Sequence, residues 1–597
     1  MGRLLMLLGG IVFAASASAL QVDERVENFR LLDHQGDSHE LYYYNDAKAI
    51  AFLVQGNGCP IVRNAMPRFR ELRDAYAAKG VQFFLLNSNL QDNRSTIVKE
   101  AAKYGYDIPI LVDDTQIIGE SLDLVRTGEV FVVNPKTWKV AYHGALDDRL
   151  TYENQKQEAS NHYLADALDN MLAGEPAKVA TTEGLGCLIN FPEKQKRAQH
   201  AQISYQDDIA PILAENCVNC HREGGIGPWA MTDYNMVKGF SLMIREVLRT
   251  KRMPPWHADP AHGEWANDRS LSDEQVKTLV HWVEAGAPRG VGTDPLATMD
   301  REFYPWDLQA TLGPPDYIID IPAMEIPATG VVDYQYHHVE NSIPQDVWVM
   351  AAEIMPGDRG VLHHTITAFG DIATEGRRKG RLIPKGGLRG YAPGITNEPF
   401  PDDSGVLLPA DTTIEFQMHY TPVGRATVDD SKMGVWVHDK APTHKMVSMF
   451  VANPRIKIPA HARNHSETVD QVIPKDAILY SLLPHAHFRG KAMRFDAIYP
   501  DGSSELLLSV PNYDFNWQTS YELKTPKFIP AGTKLKQTNW WDNSAQNKAN
   551  PDPSIDVTWG EQSWEEMLFG AFVLRFATEE ESAAQQADLE SSVAGLD

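Results

Sequence analysis

The segment from Asp316 to Phe576 constrains the fold most, because it contains short strand-forming runs and few helical patterns. Proline and glycine separate the runs, which include IEFQMHYT, KMGVWVH, MVSMFVAN and AMRFDAIYP. Such a pattern over about 260 residues predicts antiparallel β structure, and two sandwiches more naturally than one. We place two jelly-roll-like sandwiches at residues 315–447 and 448–577. Because 597 residues exceed a single core, the chain is expected to be multidomain.

Residues 20–180 show a different pattern, in which strand and helix signals alternate. The buried strand AIAFLVQG is followed by the amphipathic helix PRFRELRDAYAAKG and a second buried strand, VQFFLLNSN, so we predict an α/β domain. The intervening sequence GNGCPIVRNAMP places Cys59 at the N-terminus of the helix. A thiolate at this position is stabilised by the helix dipole.

This α/β segment resembles the thioredoxin-like, redoxin family of thiol proteins over most of its length. Val62 stands where the second cysteine of a Cys-x-x-Cys pair would be, and Gly128 stands where the family has a cis-proline. With these departures, the resemblance implies a degenerate, structural or docking domain rather than an active thiol enzyme. Cys187 is the remaining candidate partner for Cys59, and the sequence leaves open whether these two candidate redox thiols form a disulfide.

Residues 200–290 carry the motif CVNCH, in which Cys217 and Cys220 precede His221. In such a motif, the two cysteines form thioethers to a c-type haem and the histidine ligates its iron. A zinc site or a redox pair would need a second cysteine pair or a thioredoxin-like context, and neither lies nearby in the sequence. We therefore predict one covalently bound haem c.

A sixth ligand for the haem iron is expected downstream of this motif. Met253 in RTKRMPPWHADP precedes two prolines, whose rigid, extended stretch can hold a thioether over the haem. His257 and His262 are rival ligands that we rank behind Met253. Together with the helix SLSDEQVKTLVHWVEAGAP, the segment resembles a small class I cytochrome c, which implies an all-α domain.

Histidines recur in the β-rich segment at positions that suit metal binding. His485 and His487 end an apolar strand at i and i+2, so their side chains project to the same face. His419 lies on the polar face of the strand TIEFQMHYT. His363 and His364 are adjacent, so both can bind one metal only if the strand twists locally or different ring nitrogens are used.

Four ordered motifs in this segment, VLHH, QMHYTP, PHAHFRG and EEMLFG, resemble the copper type II, ascorbate-dependent monooxygenases. This is the peptidylglycine and dopamine β-monooxygenase family, and the resemblance implies two copper ions. A further pair, His337 and His338, matches none of its ligand motifs. Residue by residue, the resemblance assigns one copper to His363, His364 and His419, and the other to His485, His487 and Met567.

These ligand types suit a redox-active copper centre. Cu(I) prefers a thioether and Cu(II) prefers imidazole, so two histidines and a methionine serve both oxidation states. The resemblance implies that His485, His487 and Met567 form the catalytic site, where O2 hydroxylates a C–H bond of a small organic substrate. It also implies that the all-histidine copper, uncoupled from this site, relays an electron.

We therefore expect a copper-dependent monooxygenase. Its electron donor would be ascorbate or a periplasmic redox protein, and electrons would pass through the fused haem. A copper- and haem-binding protein without turnover is an alternative, although the presence of all six ligands counts against it. A thiol-based redoxin is another, although the missing second cysteine and cis-proline count against it.

The termini and the charge indicate the compartment and exclude some partners. Residues 1–19 combine the basic Arg3, an apolar run and a small-residue site, which predicts a secretory signal peptide and a periplasmic or secreted protein. The net charge of −25 opposes binding to nucleic acid or to an anionic membrane surface. No later run is apolar and long enough for a membrane span. Residues 578–597 are acidic and lack aromatic residues, so we expect a disordered tail.

Overall fold

The chain divides into two compact units, with the division between Gln199 and His200. The predicted signal peptide, residues 1–19, lies outside the described residues. Among the residues that are described, none of the helices combines the length and the apolar composition needed to cross a bilayer. The structure is a computed structural model that describes residues 22–150, 155–300, 303–376, 379–395 and 397–594.

The first unit is built around a mixed β-sheet. The strands of this unit are β1 (Arg30–Leu32), β2 (Ser38–Glu40), β3 (Ala49–Val54), β4 (Val81–Asn87), β5 (Ile110–Val112), β6 (Val130–Asn134) and β7 (Lys139–Gly144). The strands β1 and β2 pair with each other, and the other five form the mixed sheet. The sheet order is β5-β4-β3-β6-β7, in which β3 is parallel to β4 and antiparallel to β6. The central strand β3 is buried at every position, which explains its unbroken apolar sequence.

Helices cover this sheet and complete the predicted α/β fold. They are α1 (Pro60–Ala77), α2 (Arg94–Tyr104), α3 (Ile117–Ser121), α4 (Tyr163–Ala173) and the short α5 (Pro192–Gln195). α1 connects the parallel strands β3 and β4 and buries Val62, Phe69 and Leu72 in the same core as β3. Cys59 is the N-cap residue of α1, as the sequence predicts.

Helices also begin the second unit. They are α6 (Arg197–His200), which overlaps the boundary, then a π-helical turn (Tyr205–Ile209), α7 (Ala210–Asn216), α8 (Tyr234–Gly239), α9 (Ser241–Arg249), α10 (Asp273–Glu284) and α11 (Gln309–Leu312). Ser272 caps α10 as expected, because its hydroxyl accepts the N–H of Gln275 at 3.2 Å while the Gln275 side chain accepts the N–H of Ser272 at 3.0 Å.

Two sheets then enclose a first β core. Their strands are β8 (Tyr317–Asp320), β9 (Met324–Ile326), β10 (Gln335–Glu340), β11 (Val347–Met355), β12 (Leu362–Ile372), β13 (Leu382–Gly386), β14 (Ser404–Leu408), β15 (Thr413–Tyr420), β16 (Thr427–Asp429), β17 (Lys432–Val437) and β18 (His444–Lys445). One sheet has the order β10-β15-β12-β13 and the other β18-β14-β11-β17-β8. Val349 of one sheet and Phe416 of the other share a core. The pairing is antiparallel except between β14 and β18, which are parallel.

A second pair of sheets follows. Its strands are β19 (Val447–Ala452), β20 (Lys457–Ile458), β21 (His465–Val472), β22 (Ala477–His485), β23 (Gly490–Ile498), β24 (Ser504–Val510), β25 (Tyr521–Ile529), β26 (Lys534–Trp541), β27 (Val557–Thr558) and β28 (Phe569–Phe576). The sheets have the orders β19-β28-β22-β25 and β21-β26-β23-β24. Leu479, Phe495 and Phe572 pack between them. Each pair of sheets thus has its own core, as two sandwiches require.

The helical segment packs into the second sandwich instead of forming the independent all-α domain that the sequence predicts. Trp265 belongs to the core of the sandwich and forms an antiparallel bridge with Leu523 of β25. The N–H of Asp259 donates to the carbonyl of Ser509 at 2.9 Å. The helices are few and short, so apolar side chains of the loop between α9 and α10 find their burial against the sheet.

The chain end corrects another prediction. Residues expected to be a disordered tail form a helix, α12 (Glu579–Ala594). Thr578 and Glu581 cap it reciprocally, because the N–H of Glu581 donates to the Thr578 hydroxyl at 3.2 Å and the N–H of Thr578 donates to the Glu581 carboxylate at 2.9 Å. The same carboxylate pairs with Arg575 of β28 at 2.5 Å. A composition rich in Ala, Glu and Gln, without Pro or Gly, favours helix once such a cap is in place.

Candidate functional site

Five histidines gather within the second unit. His363 and His364 lie on β12, His419 on β15, His485 at the end of β22 and His487 in the loop that follows. Each is at most 9% exposed, so water competes little for their ring nitrogens. We call His363, His364 and His419 the first histidine set, and His485, His487 and Met567 the second set.

A β-bulge allows the first set to share one face. The register between β12 and β15 shifts between Leu362, which pairs with Tyr420, and His364, which pairs with His419. The additional residue is His363, and a bulge of this kind turns adjacent side chains toward the same side. This is the local twist that the adjacent histidines require.

The nitrogens of the first set lie within reach of a single ion. One ligand atom from each of the three residues lies within 4.8 Å of the others. His363 Nε2 and His419 Nδ1 are buried and have no hydrogen-bond partner among the described residues. The other nitrogen of each is engaged, because His363 Nδ1 lies 3.0 Å from His364 Nδ1 and His419 Nε2 lies 3.2 Å from Ser563 Oγ.

The second set is held by hydrogen bonds at one ring nitrogen of each histidine. His485 Nδ1 lies 2.8 Å from Gln518 Oε1, and His487 Nδ1 lies 3.3 Å from the carbonyl oxygen of Glu565. Because a carbonyl can only accept, His487 carries its proton on Nδ1. Its Nε2 is buried and has no hydrogen-bond partner among the described residues, so its lone pair is available to a metal.

Met567 lies in the segment that leads into β28, the strand that pairs with β22. His485 pairs with Phe569 at the end of the β22–β28 ladder. Met567 precedes Phe569 by two residues, just as His487 follows His485 by two residues, so both leave the ladder at the same end. The backbone N–H of Met567 donates to Glu566 Oε2 at 3.3 Å, and its side chain is half-buried.

A buried carboxylate fixes the backbone that carries the second set. Glu566 accepts the N–H of His487 at 2.9 Å, the N–H of Arg489 at 2.6 Å and the indole N–H of Trp541 at 3.0 Å. Burial raises the pKa of Glu566 to about 7 against the effect of these hydrogen bonds. The fully buried Arg489 guanidinium donates to Asn543 Oδ1 at 2.9 Å and to the Trp564 carbonyl at 2.7 Å.

The two sets lie side by side, and the uncoupled behaviour of two bound coppers stays a prediction. The ring centroids of His364 and His485 are 6.2 Å apart. Gln518 joins the sets, because its amide oxygen contacts His485 and its amide nitrogen lies 3.3 Å from His364 Nδ1. Phe515 stacks on His363 with centroids 4.6 Å apart and meets His487 edge-on at 5.8 Å.

Burial keeps these imidazoles neutral. It lowers the pKa of His363 to about 4, that of His419 to about 3 and that of His485 to about 4. Burial also places the pKa values of His364 and His487 well below the ordinary range. A cluster of neutral, desolvated imidazoles with free lone pairs is the donor set that a copper ion requires.

The other histidine pair differs from this cluster. His338 Nε2 is bonded to Glu415 Oε2 at 2.7 Å. His337 has a buried Nε2 without a partner among the described residues, but it belongs to none of the groups of three possible metal ligands found there. An unpartnered nitrogen alone therefore does not distinguish a ligand, whereas the convergence of several does.

The CVNCH motif follows helix α7 directly. Cys217 is the C-cap residue of α7, and the N–H of His221 donates to the Cys217 carbonyl at 2.9 Å. His221 Nδ1 lies 3.1 Å from the Trp229 carbonyl oxygen, which places the proton on Nδ1 and leaves Nε2 as the free ligand atom. Burial raises the pKa of both Cys217 and Cys220, so neither thiol is poised for disulfide exchange. These features fit haem attachment.

Met253 lies in the loop after α9. Its backbone N–H contacts the Val247 carbonyl at 3.4 Å, and its side chain is half-buried. The rival His257 is buried and His262 is half-buried. The choice of Met253 as axial ligand stays a prediction.

The candidate redox thiols meet within the first unit. Cys59 Sγ and Cys187 Sγ are 3.4 Å apart, and the Thr127 hydroxyl donates to Cys59 Sγ at 3.0 Å. Cys59 is only 3% exposed, whereas Cys187 is exposed. These cysteines lie 128 positions apart, so their proximity is a result of the fold that residue spacing does not reveal.

Comparisons with known proteins bear on the first unit. Residues 21–160 match the Redoxin family. This segment is a redoxin domain with the thioredoxin-like fold. Among curated proteins, none matches the chain.

Similar solved structures each cover less than a third of the chain. A hypothetical protein from Sinorhizobium meliloti 1021 is 23% identical over 29% of this chain and 95% of its own, with a TM-score of 0.27. An uncharacterized conserved protein from Geobacillus kaustophilus is 26% identical over 29% of this chain and 93% of its own, with a TM-score of 0.26. Peroxidoxin BcpB from Mycobacterium tuberculosis is 15% identical over 26% of this chain and 97% of its own, with a TM-score of 0.21.

Several residues around the histidines were not found from the sequence. They are neighbours of ligands, and residue type alone does not mark them. Glu566 could have been suspected, because it directly precedes Met567 in EEMLFG. The larger set comprises Tyr334, Gln518, Phe515, Ser563, Glu566 and Arg489.

Proposed function

We propose that residues 315–577 form a two-copper monooxygenase that hydroxylates a C–H bond of a small organic substrate with O2. The observation that carries this proposal is the convergence of five buried histidines from two sandwiches, with three ring nitrogens free of hydrogen-bond partners among the described residues. His363, His364 and His419 would hold one ion, and His485, His487 and Met567 the other.

Bound copper would supply one-electron redox chemistry and an open coordination position for oxygen. The protein residues have separate tasks. Gln518 fixes the ring of His485 and orients it toward the first set, at hydrogen-bond lengths of 2.8 and 3.3 Å. The Glu565 carbonyl holds the proton of His487 on Nδ1. Phe515 covers His363 and excludes water from the space between the sets.

The fused haem segment supports internal electron delivery. The Arg269 guanidinium contacts the Gly394 carbonyl and donates to Thr519 Oγ1 at 3.3 Å. Burial raises the pKa of Cys220, and the charge of Arg269 is the largest influence that opposes this rise. Thr519 directly follows Gln518, which contacts both histidine sets. The hydrogen bond from Arg269 to Thr519 therefore links the haem segment to the copper centre and supports electron transfer from a haem at Cys217, Cys220 and His221.

The remaining parts of the proposal rest on the sequence. We propose that the protein is periplasmic or secreted, and that ascorbate or a periplasmic redox protein reduces its haem. The substrate class is a small organic molecule. Nucleic acid and membranes are not among the proposed partners, in keeping with the net charge of −25.

Copper stoichiometry and oxygen consumption test the proposal together. The wild-type protein is expected to bind two copper ions, and His363→Ala or His419→Ala to bind one. His338→Ala is the matched control, because His338 lies on β10 with Glu415 as its partner and is expected to leave two ions bound. Met567→Ile is expected to abolish oxygen consumption with candidate substrates, whereas Cys59→Ser is expected to preserve it. Equal copper loss in His338→Ala and His363→Ala would contradict the assignment.

A copper- and haem-binding protein without turnover is the alternative, and it uses the same ligands. It predicts two bound copper ions and no substrate-dependent oxygen consumption in the wild-type protein, whatever reductant is supplied. Substrate-dependent consumption that requires Met567 therefore separates the two functions.

A further inference from the structure

The most informative feature outside the copper and haem sites is a short strand-like segment that brings Cys187 to Cys59. The N–H of Thr127 donates to the Cys187 carbonyl at 2.9 Å, and the N–H of Ile189 donates to the Val125 carbonyl at 3.0 Å. Arg126 and Leu188 form an antiparallel bridge between these contacts. The backbone of residues 186–189 is therefore paired with residues 125–127, and Cys187 is fixed over the N-terminus of α1.

Two glycines permit this close approach. A Cβ atom on Gly186 would lie 1.6 Å from the Thr127 carbonyl oxygen, and one on Gly128 would lie 2.6 Å from the Leu185 carbonyl oxygen. Gly128 is the residue that stands in place of the family's cis-proline. The substitution that suggested a degenerate thiol domain thus makes room for the segment that carries a second cysteine.

The environments of the two sulfurs are opposite. Burial raises the pKa of Cys59. Hydrogen bonds from the Thr127 hydroxyl, the Val62 N–H and the Cys187 N–H and thiol together outweigh this effect, so the pKa of Cys59 is lowered on balance. Burial and the shared hydrogen bond with Cys59 raise the pKa of Cys187. Cys59 is buried and Cys187 is exposed, so the stabilised thiolate is the one that solvent reaches least.

We propose that Cys59 and Cys187 form a two-electron dithiol–disulfide centre, in which external thiols exchange at Cys187 and Cys59 serves as the internal leaving group. The inference goes beyond the proposed copper chemistry and does not depend on it. The sulfurs are 3.4 Å apart, and a movement of about 1.4 Å brings them to bonding distance.

The exchange needs only two external thiols and the protein disulfide, and its atoms and electrons balance. An external thiolate attacks Cys187 Sγ of the disulfide, the bond between the protein sulfurs breaks, and its electron pair remains on Cys59 as a thiolate. A second external thiolate attacks the external sulfur of the mixed disulfide and releases Cys187, which takes up a proton. Two thiols are oxidised to one disulfide, and the protein centre gains two electrons. The reverse reaction with an external disulfide oxidises the centre.

This direction of attack follows from leaving-group chemistry. The sulfur with the lower pKa leaves more readily, and the attacked sulfur must be accessible. Both conditions select attack at Cys187. Thr127 is a positioning residue, because its hydroxyl donates to Cys59 Sγ and accepts the Cys187 N–H at 3.1 Å.

The test uses the full-length protein, with peptide mapping that separates Cys59 and Cys187 from Cys217 and Cys220, and the double variant Cys59→Ser/Cys187→Ser as baseline. After incubation with oxidised glutathione, peptide mass spectrometry is expected to show a disulfide joining Cys59 and Cys187. In Cys59→Ser, glutathione is expected to add to Cys187 at least about ten times faster than it adds to Cys59 in Cys187→Ser. Absence of the joined peptide at every glutathione ratio, or faster addition to Cys59, would overturn the proposal.

Two further measurements test the role of Thr127 and the identity of the external thiol. Thr127→Val is expected to slow reduction of the disulfide about two- to tenfold, because the leaving thiolate loses a hydrogen bond, and to move upward the pH midpoint at which reduced Cys59 is alkylated in a Cys187→Ser background. A variant that merely loosened the fold would expose the buried Cys59 and speed its reactions instead of slowing them. Reduced glutathione and a Cys-x-x-Cys protein, compared at equal thiol concentration, identify a small thiol or a protein dithiol as the faster reductant. If neither reduces the centre, the proposal is wrong.

Discussion

The two histidine sets lie next to each other but are held in different ways. His485 and His487 each have one ring nitrogen bonded to a protein oxygen, and a buried carboxylate organises the backbone beneath them. The first set has one such bond, from His419 Nε2 to Ser563 Oγ at 3.2 Å, and depends more on ring packing. Tyr334 stacks on His419 with centroids 4.5 Å apart, and Phe515 stacks on His363 at 4.6 Å.

This difference suits the proposed division of labour. A site that binds oxygen and substrate must keep its ligands oriented while its coordination changes, and hydrogen bonds to ring nitrogens provide such orientation. A site that only relays an electron has no substrate to position, so packed rings suffice. The two sets therefore differ in the side chains on which their copper affinity and the local stability depend.

The largest expected effect is a loss of stability on removing Glu566 of the second sandwich, compared with removing Glu415 of the first. Glu566→Ala removes the acceptor of three buried donors, and we expect the free energy of unfolding to fall by about 3–5 kcal/mol. Glu415→Ala is the matched control in the first sandwich, where the carboxylate pairs with the exposed His338, and we expect a change below about 1 kcal/mol. Urea denaturation of the copper-free proteins measures both. Equal losses would remove the distinction between the sets.

A smaller effect is expected at the residue that joins the sets. Gln518→Leu removes the acceptor at 2.8 Å from His485 Nδ1 and the weaker 3.3 Å contact to His364. We expect Cu(I) affinity to fall about 10- to 100-fold at the second set and less at the first. Competition with a Cu(I) chelator, in variants that retain one set at a time, measures each affinity. An equal loss at both sets would show that Gln518 acts through the shape of the cavity.

A still smaller effect is expected at Ser563, whose hydroxyl lies 3.2 Å from His419 Nε2. Ser563→Ala removes one hydrogen bond, so copper affinity at the first set should fall about two- to tenfold. The second set should be unchanged, and the same chelator titration reports it. A comparable loss at the second set would mean that Ser563 positions the loop that carries Glu565 and Glu566.

The smallest expected effect is that of mild acid. Since burial lowers the pKa of His363 and His485 to about 4, both histidines stay deprotonated as the pH falls from 7 to 5. Copper then displaces no protons from them, and affinity should change little across this range. Isothermal titration at pH 5 and pH 7 measures it. A loss of affinity centred near pH 6.5 would show ordinary, solvated imidazoles.

The sequence predicted the sheet-rich C-terminal region and the α/β first domain because their signals are local. Alternation along a strand such as TIEFQMHYT is set by the two-residue period of the backbone. The apolar face it predicts is buried, with Ile414, Phe416 and Met418 all at 0% exposure. The capped helix after Ser272 is also encoded within a few residues.

Long-range contacts could not be obtained in this way. The sequence around Trp265 predicts a helical domain, but the side chain packs in the core of the second sandwich, beside β25. Gln518 is an ordinary amide in the sequence, and only the fold brings it between His364 and His485. The tail composition was compatible with disorder, but the pairing of Glu581 with Arg575 and Thr578 supplies the start that a helix needs.

The bulge at His363 makes the first set depend on the number of residues in the strand as well as on their type. Deleting Leu362 would restore a regular ladder, in which His363 pairs with Tyr420 and His364 with His419, while both histidines remain in the chain. The neighbouring imidazoles would then face opposite sides of the sheet. Single-residue length changes in this strand should therefore abolish the first site as completely as substitution of its ligands.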